Sequence, residues 1–275
     1  MSDATPSPYS TLPAEGPDEV LIGSALITMV EPHEGHEHAY NRWYEDDHFY
    51  SGAMAMPWMF AGRRWVAPTN LQALRYPDDS LIAQPISAGK YISLYWITEG
   101  RYDDHLRWSV ASNQRFLPNG RIYLDRTHVY TSFQSYRGAV YRDGDRGPRD
   151  IHSLDFPYRG LVVEVVDAAE DRDTLEQWLR DDYLPSRLAG SPIAMTLLFA
   201  PNPLPADKMS YVEDVPGLDR RITVLSFTEV PPEECVDAWQ GLGDAVAEAG
   251  VGRVELAAPF YPTVPGTDTY VDQLR

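Results

Sequence analysis

The sequence predicts an α+β chain made of two successive β-α-β-β-α-β units whose sheets pack on each other. Three observations predict it. Residues 40–58, YNRWYEDDHFYSGAMAMPW, align without a gap on residues 175–193, LEQWLRDDYLPSRLAGSPI, so that Trp43 meets Trp178, Asp46 and Asp47 meet Asp181 and Asp182, His48 meets Tyr183 and Pro57 meets Pro192. An apolar stretch precedes each copy, VLIGSALITMV at 20–30 and GLVVEVVDA at 160–168. A second apolar stretch follows each and runs into Ala-Pro, at Ala67-Pro68 and Ala200-Pro201.

The remaining elements follow in the same order. After each Ala-Pro comes a connection of about twenty residues rich in Pro, Asp and Ser or Asn, longer than most loops and therefore a candidate lid. A third strand follows, KYISLYWITEG (90–100) or RITVLSFTEV (221–230), both reaching Thr-Glu. Next are an amphipathic helix carrying Trp108 or Trp239 and a last strand, THVYTSFQSY (127–136) or GRVELAAPFY (252–261). This is the split βαβ, or ferredoxin-like, order. Its helices cover one face of a four-stranded sheet, and the second copy supplies cover for the other. The expected organisation is a disordered tail at 1–19, a first repeat at 20–140, a polar linker at 141–157 and a second repeat at 158–275.

Composition narrows the function classes. The 275 residues carry a formal charge of −18, which disfavours nucleic acid and anionic membrane surfaces as partners. The apolar fraction of 43% is ample for a packed core. A single cysteine, Cys235, rules out an intrachain disulfide and a cysteine-based zinc site, and reads as a packing residue at a helix start. The N-terminal stretch lacks the basic and apolar regions of a signal peptide, and no apolar run spans a bilayer. A cytoplasmic small-molecule protein is expected.

The candidate chemistry centres on the first helix. Helical spacing puts Tyr40, Trp43, Tyr44, Asp47, His48 and Ser51 on one stripe, with Arg42, Glu45 and Asp46 opposite. Asp47 and the helix C-terminus both favour an imidazolium, so His48 can serve as general acid and, once deprotonated, as base. The bland alternative is a histidine bonded to Asp47 that merely holds the turn. The second copy has Tyr183 and Ile193 where the first has His48 and Trp58, which points to one active half and one scaffold half. Arg63 and Arg64 sit on a strand and point to opposite faces; either could hold a carboxylate or enolate, or pair with a surface acid. In the last strand His128, Tyr130, Ser132, Gln134 and Tyr136 alternate onto one face, with Val129 and Phe133 on the other. That row could line a pocket or a solvated edge. His33, His36 and His38 in HEGHEH lack zinc-protease spacing, so no metal is expected there, and His105 reads as a surface residue. Phosphate loops, nucleophile elbows and dinucleotide fingerprints are missing.

The segment RWYEDDHFYSGAMAMPWMFAGRRW, with Trp-Tyr, an acid and histidine, then proline and a strand with paired arginines, resembles the EthD-like branch of the dimeric α+β barrel superfamily. GKYISLYWI resembles that branch's third strand, and QWLRDDYLPSRLAGSP resembles the same pattern with tyrosine where histidine is usual. The resemblance implies a tandem, intrachain α+β barrel, in a superfamily that spans cyclases, cofactor-independent monooxygenases, isomerases, decarboxylases, dehydratases and haem enzymes. The leading expectation is a cofactor-independent lyase, isomerase or cyclase, with His48 and Asp47 acting on a hydrophobic, aromatic or polycyclic carbonyl compound. Tyr40, Trp43, Tyr44, Trp58, Arg64, Trp65, His128 and Tyr130 are the expected binding residues. A haem dehydratase or peroxidase, ligated by His48, His128 or His152, is the first alternative; a non-catalytic binding protein is the second. The outer helices could also support a homodimer.

Overall fold

The computed structural model describes residues 19–203 and 217–275. The tail expected at 1–19, save its last residue, and most of the second Pro-rich loop lie outside the described residues. Among the described residues the strands are β1 (Ile22–Pro32), β2 (Met59–Val66), β3 (Tyr91–Thr98), β4 (Arg126–Tyr141), β5 (Gly160–Ala168), β6 (Ile193–Pro201), β7 (Arg221–Thr228) and β8 (Gly252–Pro262). They close into one antiparallel barrel in the order β1-β3-β2-β8-β5-β7-β6-β4. Each half supplies four adjacent staves. The halves meet along β4 and β6, from Gln134 opposite Pro201 to Tyr141 opposite Met195. They meet again, briefly, where Trp65 and Val66 face Pro262 and Tyr261.

Burial on both faces explains why the strands read as near-continuous apolar runs. Every residue of β3 is buried. Ile92, Leu94 and Trp96 fill the barrel interior, while Tyr91, Tyr95 and Ile97 lie under the outer helices. Closure is a long ladder along β4 and β6 but rests on two residue pairs between β2 and β8.

The outer layer of the first half is α1 (Glu37–Trp43), its π-helical continuation Tyr44–Ala53, α2 (Thr69–Gln72) and α3 (Tyr102–Phe116). That of the second is α4 (Arg172–Trp178), a π turn at Leu179–Tyr183, α5 (Leu184–Leu188) and α6 (Leu242–Ala249). The π segments begin at Tyr44 and Leu179, matched positions in the two copies. Asp171 caps α4 by accepting from the Thr174 amide. The helix expected around Trp239 is broken. Its first part is a 3-10 segment, Pro232–Ala238, with Cys235 at φ −134° and ψ 33°, entered through Pro231 and Pro232, which cannot donate to a regular ladder. Cys235 is buried, as a packing residue should be.

Three connections depart from expectation. The linker is no solvated spacer: Ser153, Leu154 and Tyr158 are buried, Trp96 Nε1 donates to Ser153 Oγ at 3.0 Å, and Arg63 donates to the Leu154 and Phe156 carbonyls. It therefore stoppers one barrel mouth. The connection after β2 is no lid, because Leu71, Ala83 and Ala88 join the interior core and buried Arg75 ties its carbonyls at Ile86, Ala88 and Gly89. It stoppers the opposite mouth. Finally, the segment after β8 crosses back to the first half, where Leu274 packs in the outer core under α1. Asn41 Nδ2 donates to the Thr267 carbonyl and to Asp268 Oδ1, and Arg275 pairs with Glu31 and Glu37.

Candidate functional site

The site grows from the switch of α1 into π-helical winding. With five-residue hydrogen bonding the face rotates, so the stripe expected from α-helical spacing holds through Tyr44 and fails beyond it. Asn41, Tyr44 and Glu45 are buried, whereas Asp46 is exposed and Asp47 only half-buried. Glu45, expected to face solvent, points at the sheet and accepts from Arg64 Nη1 at 2.5 Å. Its other oxygen accepts from the Gly266 amide at 3.0 Å.

Arg64 is 3% exposed, and its Nη1 also donates to Asn41 Oδ1 at 3.0 Å. Its guanidinium lies 4.3 Å from the Tyr44 ring centre and 4.8 Å from that of Tyr91. Tyr44 and Tyr95 share a hydrogen bond of 2.5 Å between their hydroxyls, and Tyr40 closes the cluster at 5.5 Å from Tyr91. Gly62 is required beneath it, since an added Cβ would collide with the Tyr95 ring and Met54 sulfur. The second half answers with Arg187 and fully buried Glu164, 2.8 Å apart, but there the arginine is on the helix and the acid on the strand.

At the open edge of this cluster His48 stacks on Trp43, ring centres 4.2 Å apart and planes at 19°, with Tyr44 edge-on at 5.1 Å. Gly52 backs the ring so closely that any Cβ would strike Nδ1. The wall opposite comes from NGRIYLDR, residues 119–126: the Arg121 carbonyl accepts from Trp43 Nε1 at 3.1 Å, Tyr123 lies 5.9 Å from Trp43, and Arg126 sits over the Trp43 ring at 4.7 Å.

The electrostatics reverse the expected protonation. Burial, and after it the positive charge of Arg126 with Arg64 and Arg121, pushes the His48 imidazole down to about 3 against the opposing pull of Asp47. Asp47 does not hydrogen-bond His48. Its carboxylate is engaged by Arg121 at 2.5 Å and by Ser51 Oγ at 3.1 Å, and that Arg121 bond holds it below the usual carboxylate range. His48 is thus a neutral imidazole with no hydrogen bond to either nitrogen among the described residues.

Four expected members of the pocket lie apart from the Trp43–His48 stack, two of them inside the barrel. Trp65 follows Arg64 on β2 and so faces the barrel interior, fully buried, with Arg63 at 4.8 Å. Tyr130 is also interior, its hydroxyl 2.7 Å from Thr223 Oγ1. A β-bulge between Met29 and Val30 breaks the alternation of β4, pairing Val30 with His128 and leaving Val129 extra. His128 therefore comes to the outer side, exposed, bonded through Nδ1 to Thr131. Trp58 is half-buried and donates to His105 Nδ1 at 3.1 Å. His105 is no surface residue: it is 1% exposed, and burial pushes it down to about 4. His33 and His36 face Asp125, and His38 faces Asp268 and Asp272. Among the described residues no group of three or more His, Cys, Asp or Glu could hold a metal ion, and no helix is long and apolar enough to cross a membrane.

No protein-family model matches the sequence, and no relative is found among curated proteins. Solved structures are similar in shape. An anthrone oxidase-like protein superposes with a TM-score of 0.52 at 9% identity, over 89% of this chain and 92% of its own. A monooxygenase-like protein of Fusobacterium nucleatum superposes with a TM-score of 0.50 at 7% identity, over 89% and 94%. A Rhodococcus jostii RHA1 DypB variant in complex with heme gives 0.52 at 11%, over 93% and 97%. At these identities the likeness is one of fold, an α+β barrel. In this barrel protein one chain supplies both four-stranded sheets.

Two outcomes test the site's construction. Arg64→Met strands the buried Glu45 carboxylate and should cost about 3–5 kcal/mol in urea unfolding, with part regained in the Arg64→Met, Glu45→Gln double variant; a loss below about 1 kcal/mol would contradict a buried pair. In NMR titrations neither His48 nor His105 should protonate between about pH 5.5 and 8. Because both folded values are depressed, their contribution to stability is full above the unfolded value near 6.5 and falls as pH drops toward 4 and 3. An ordinary titration of His48 near pH 6.5 would contradict the assigned environment.

Proposed function

We propose that the chain is a small-molecule enzyme of the EthD-like kind, an internally duplicated barrel whose first half holds the active site at Trp43 and His48. The observation that carries this reading is the imidazole of His48, stacked at 4.2 Å on Trp43 with the Arg126 guanidinium over the same ring. The second half repeats the stack, with Trp178 and Tyr183 at 5.1 Å and 17°, but not the imidazole.

The chemistry that suits this arrangement starts with a proton passing from the substrate to His48. A neutral imidazole accepts a proton before it can donate one, so the first step in this reading is general-base removal of an acidic proton, from an enol, a phenol or a carbon beside a carbonyl, and it requires that bound substrate make His48 more basic than it is in the free protein. The positive field of Arg126, Arg64 and Arg121 then stabilises the anion formed. The same field disfavours the imidazolium, so the proton returns readily to another position of the substrate. Isomerisation, cyclisation, dehydration and decarboxylation of an aromatic or polycyclic carbonyl compound all fit such a shuttle. Trp43, with Tyr123 beside it, offers the apolar wall for a planar ring system. Arg64 supports the cluster from beneath, and Asp47 fixes Arg121.

The haem alternative has less support in the histidines. His128 and His152 are exposed. Nδ1 of His48 is closed off by Gly52, which leaves Nε2 as its one candidate ligand atom. Nδ1 of His105 accepts from Trp58, which places the ring proton on Nε2 and removes that nitrogen as an iron ligand.

The test is turnover of a panel of hydroxylated anthrones and aromatic β-dicarbonyl compounds followed by mass spectrometry. His48→Gln should lower kcat by about 10²–10⁴ while ligand quenching of tryptophan fluorescence is kept. Unaltered turnover in His48→Gln would remove the assignment.

A further inference from the structure

Of the side chains that distinguish the first half's outer edge from its twin, two adjoin. One is His48. The other is Arg126, the first residue of β4, whose guanidinium lies 4.7 Å over the same Trp43 ring on which His48 stacks. Arg126 forms no ion pair among the described residues. What sets Arg126 apart is its place, over the same Trp43 ring that His48 stacks on. The acid next to it in the chain and the two acids of the His48 helix have other partners: Asp125 faces His33 and His36, Asp47 pairs with Arg121 and Glu45 with Arg64. Arg126 is half-buried, so a ligand can reach it.

The second half supplies an internal comparison. β8 carries a bulge in the same place as β4, and beyond it Val166, Asp167 and Ala168 pair with Val254, Arg253 and Gly252. In the first half Val30, Glu31 and Pro32 pair with His128, Thr127 and Arg126. Gly252 therefore stands where Arg126 does, just as Tyr183 stands where His48 does. The ring stack survives without either, so holding the tryptophan does not require the guanidinium.

We propose that Arg126 receives an anionic group, a carboxylate or an ionised enol or phenol, of a planar aromatic substrate that lies against Trp43 with its reacting atom at His48. The proposal rests on the active-site reading above for the place of reaction. A guanidinium fork matches a carboxylate in two parallel hydrogen bonds, and its stacking on an aromatic ring fixes the plane in which they form. Such an anion also cancels part of the positive field that, after burial, disfavours protonation of His48. The substrate would thereby strengthen the base that acts on it.

The test uses 1-hydroxy-2-naphthoate and its methyl ester as probes with the full chain, read by tryptophan fluorescence and by the NMR titration of His48. Wild type should bind the acid at least about tenfold more tightly than the ester, as a charge-assisted pair requires. The acid, not the ester, should raise the pH at which His48 titrates. Arg126→Met should bring acid and ester to within about twofold of each other while keeping ester affinity, which also reports an intact fold, and Arg126→Lys should recover part of the preference. Equal binding of acid and ester, no binding of the acid, or a preference that survives Arg126→Met would overturn the proposal. His48→Gln separates the two claims. If it retains turnover while the acid preference still depends on Arg126, the anion site stands and the catalytic reading falls; the reverse pattern removes Arg126 alone.

Discussion

The structure depends on one constraint: each half makes a four-stranded sheet with helices on a single face, and the bare faces have to be sealed. They seal one another. The inner residues of all eight strands, with Trp65, Trp96, Phe199 and Phe260 among the largest, form one core, and both mouths are stoppered by the connections around Leu154 and Ala83. Burial at roughly 25 cal/mol per Å² of apolar surface makes this interior the main source of stability. It also decides where chemistry can happen. A filled barrel leaves the seam between outer helices and sheet as the place where side chains meet solvent.

At that seam the two halves share a frame and differ in charge. Both wind their first helix into a π turn at the matched residue, and both stack a ring on the tryptophan of that helix. Both bury an arginine with a glutamate between helix and sheet, in opposite senses. A buried pair is weak evidence for added stability, because desolvation offsets attraction, but it fixes helix position strongly once present. The first half sets its pair under four tyrosines and draws the C-terminal segment over it through the Gly266 amide. The result is a rigid floor beneath His48 and Trp43.

Much of this was legible in the sequence. The paired segments around Trp43 and Trp178, each with strands before and after, gave both the element order and the closure of one sheet on another. Opposite facing of Arg63 and Arg64 followed from strand geometry alone, and should have moved Trp65 to the interior with Arg63. What could not be read was local departure from ideal periods. A π turn after Trp43 turned Glu45 inward, and a bulge before His128 separated it from Tyr130. Neither leaves a mark in composition. His105 looked like a polar residue on an amphipathic helix, and only its contact with Trp58 from another element shows why it is buried. Arg121 and Arg126 sit in a stretch without apolar periodicity, so nothing local in the chain tied them to His48.

The central claim is that ligands bind outside the barrel, against Trp43 and between His48 and Arg126. A crystal structure of the protein soaked with 1-hydroxy-2-naphthoate tests it most directly. The account predicts the naphthalene plane on Trp43, the carboxylate on the Arg126 guanidinium and the hydroxyl within hydrogen-bond reach of His48. Density for the ligand inside the barrel beside Trp65 and Tyr130, or under the second half's helices beside Arg187, with the Trp43 edge empty, would contradict it.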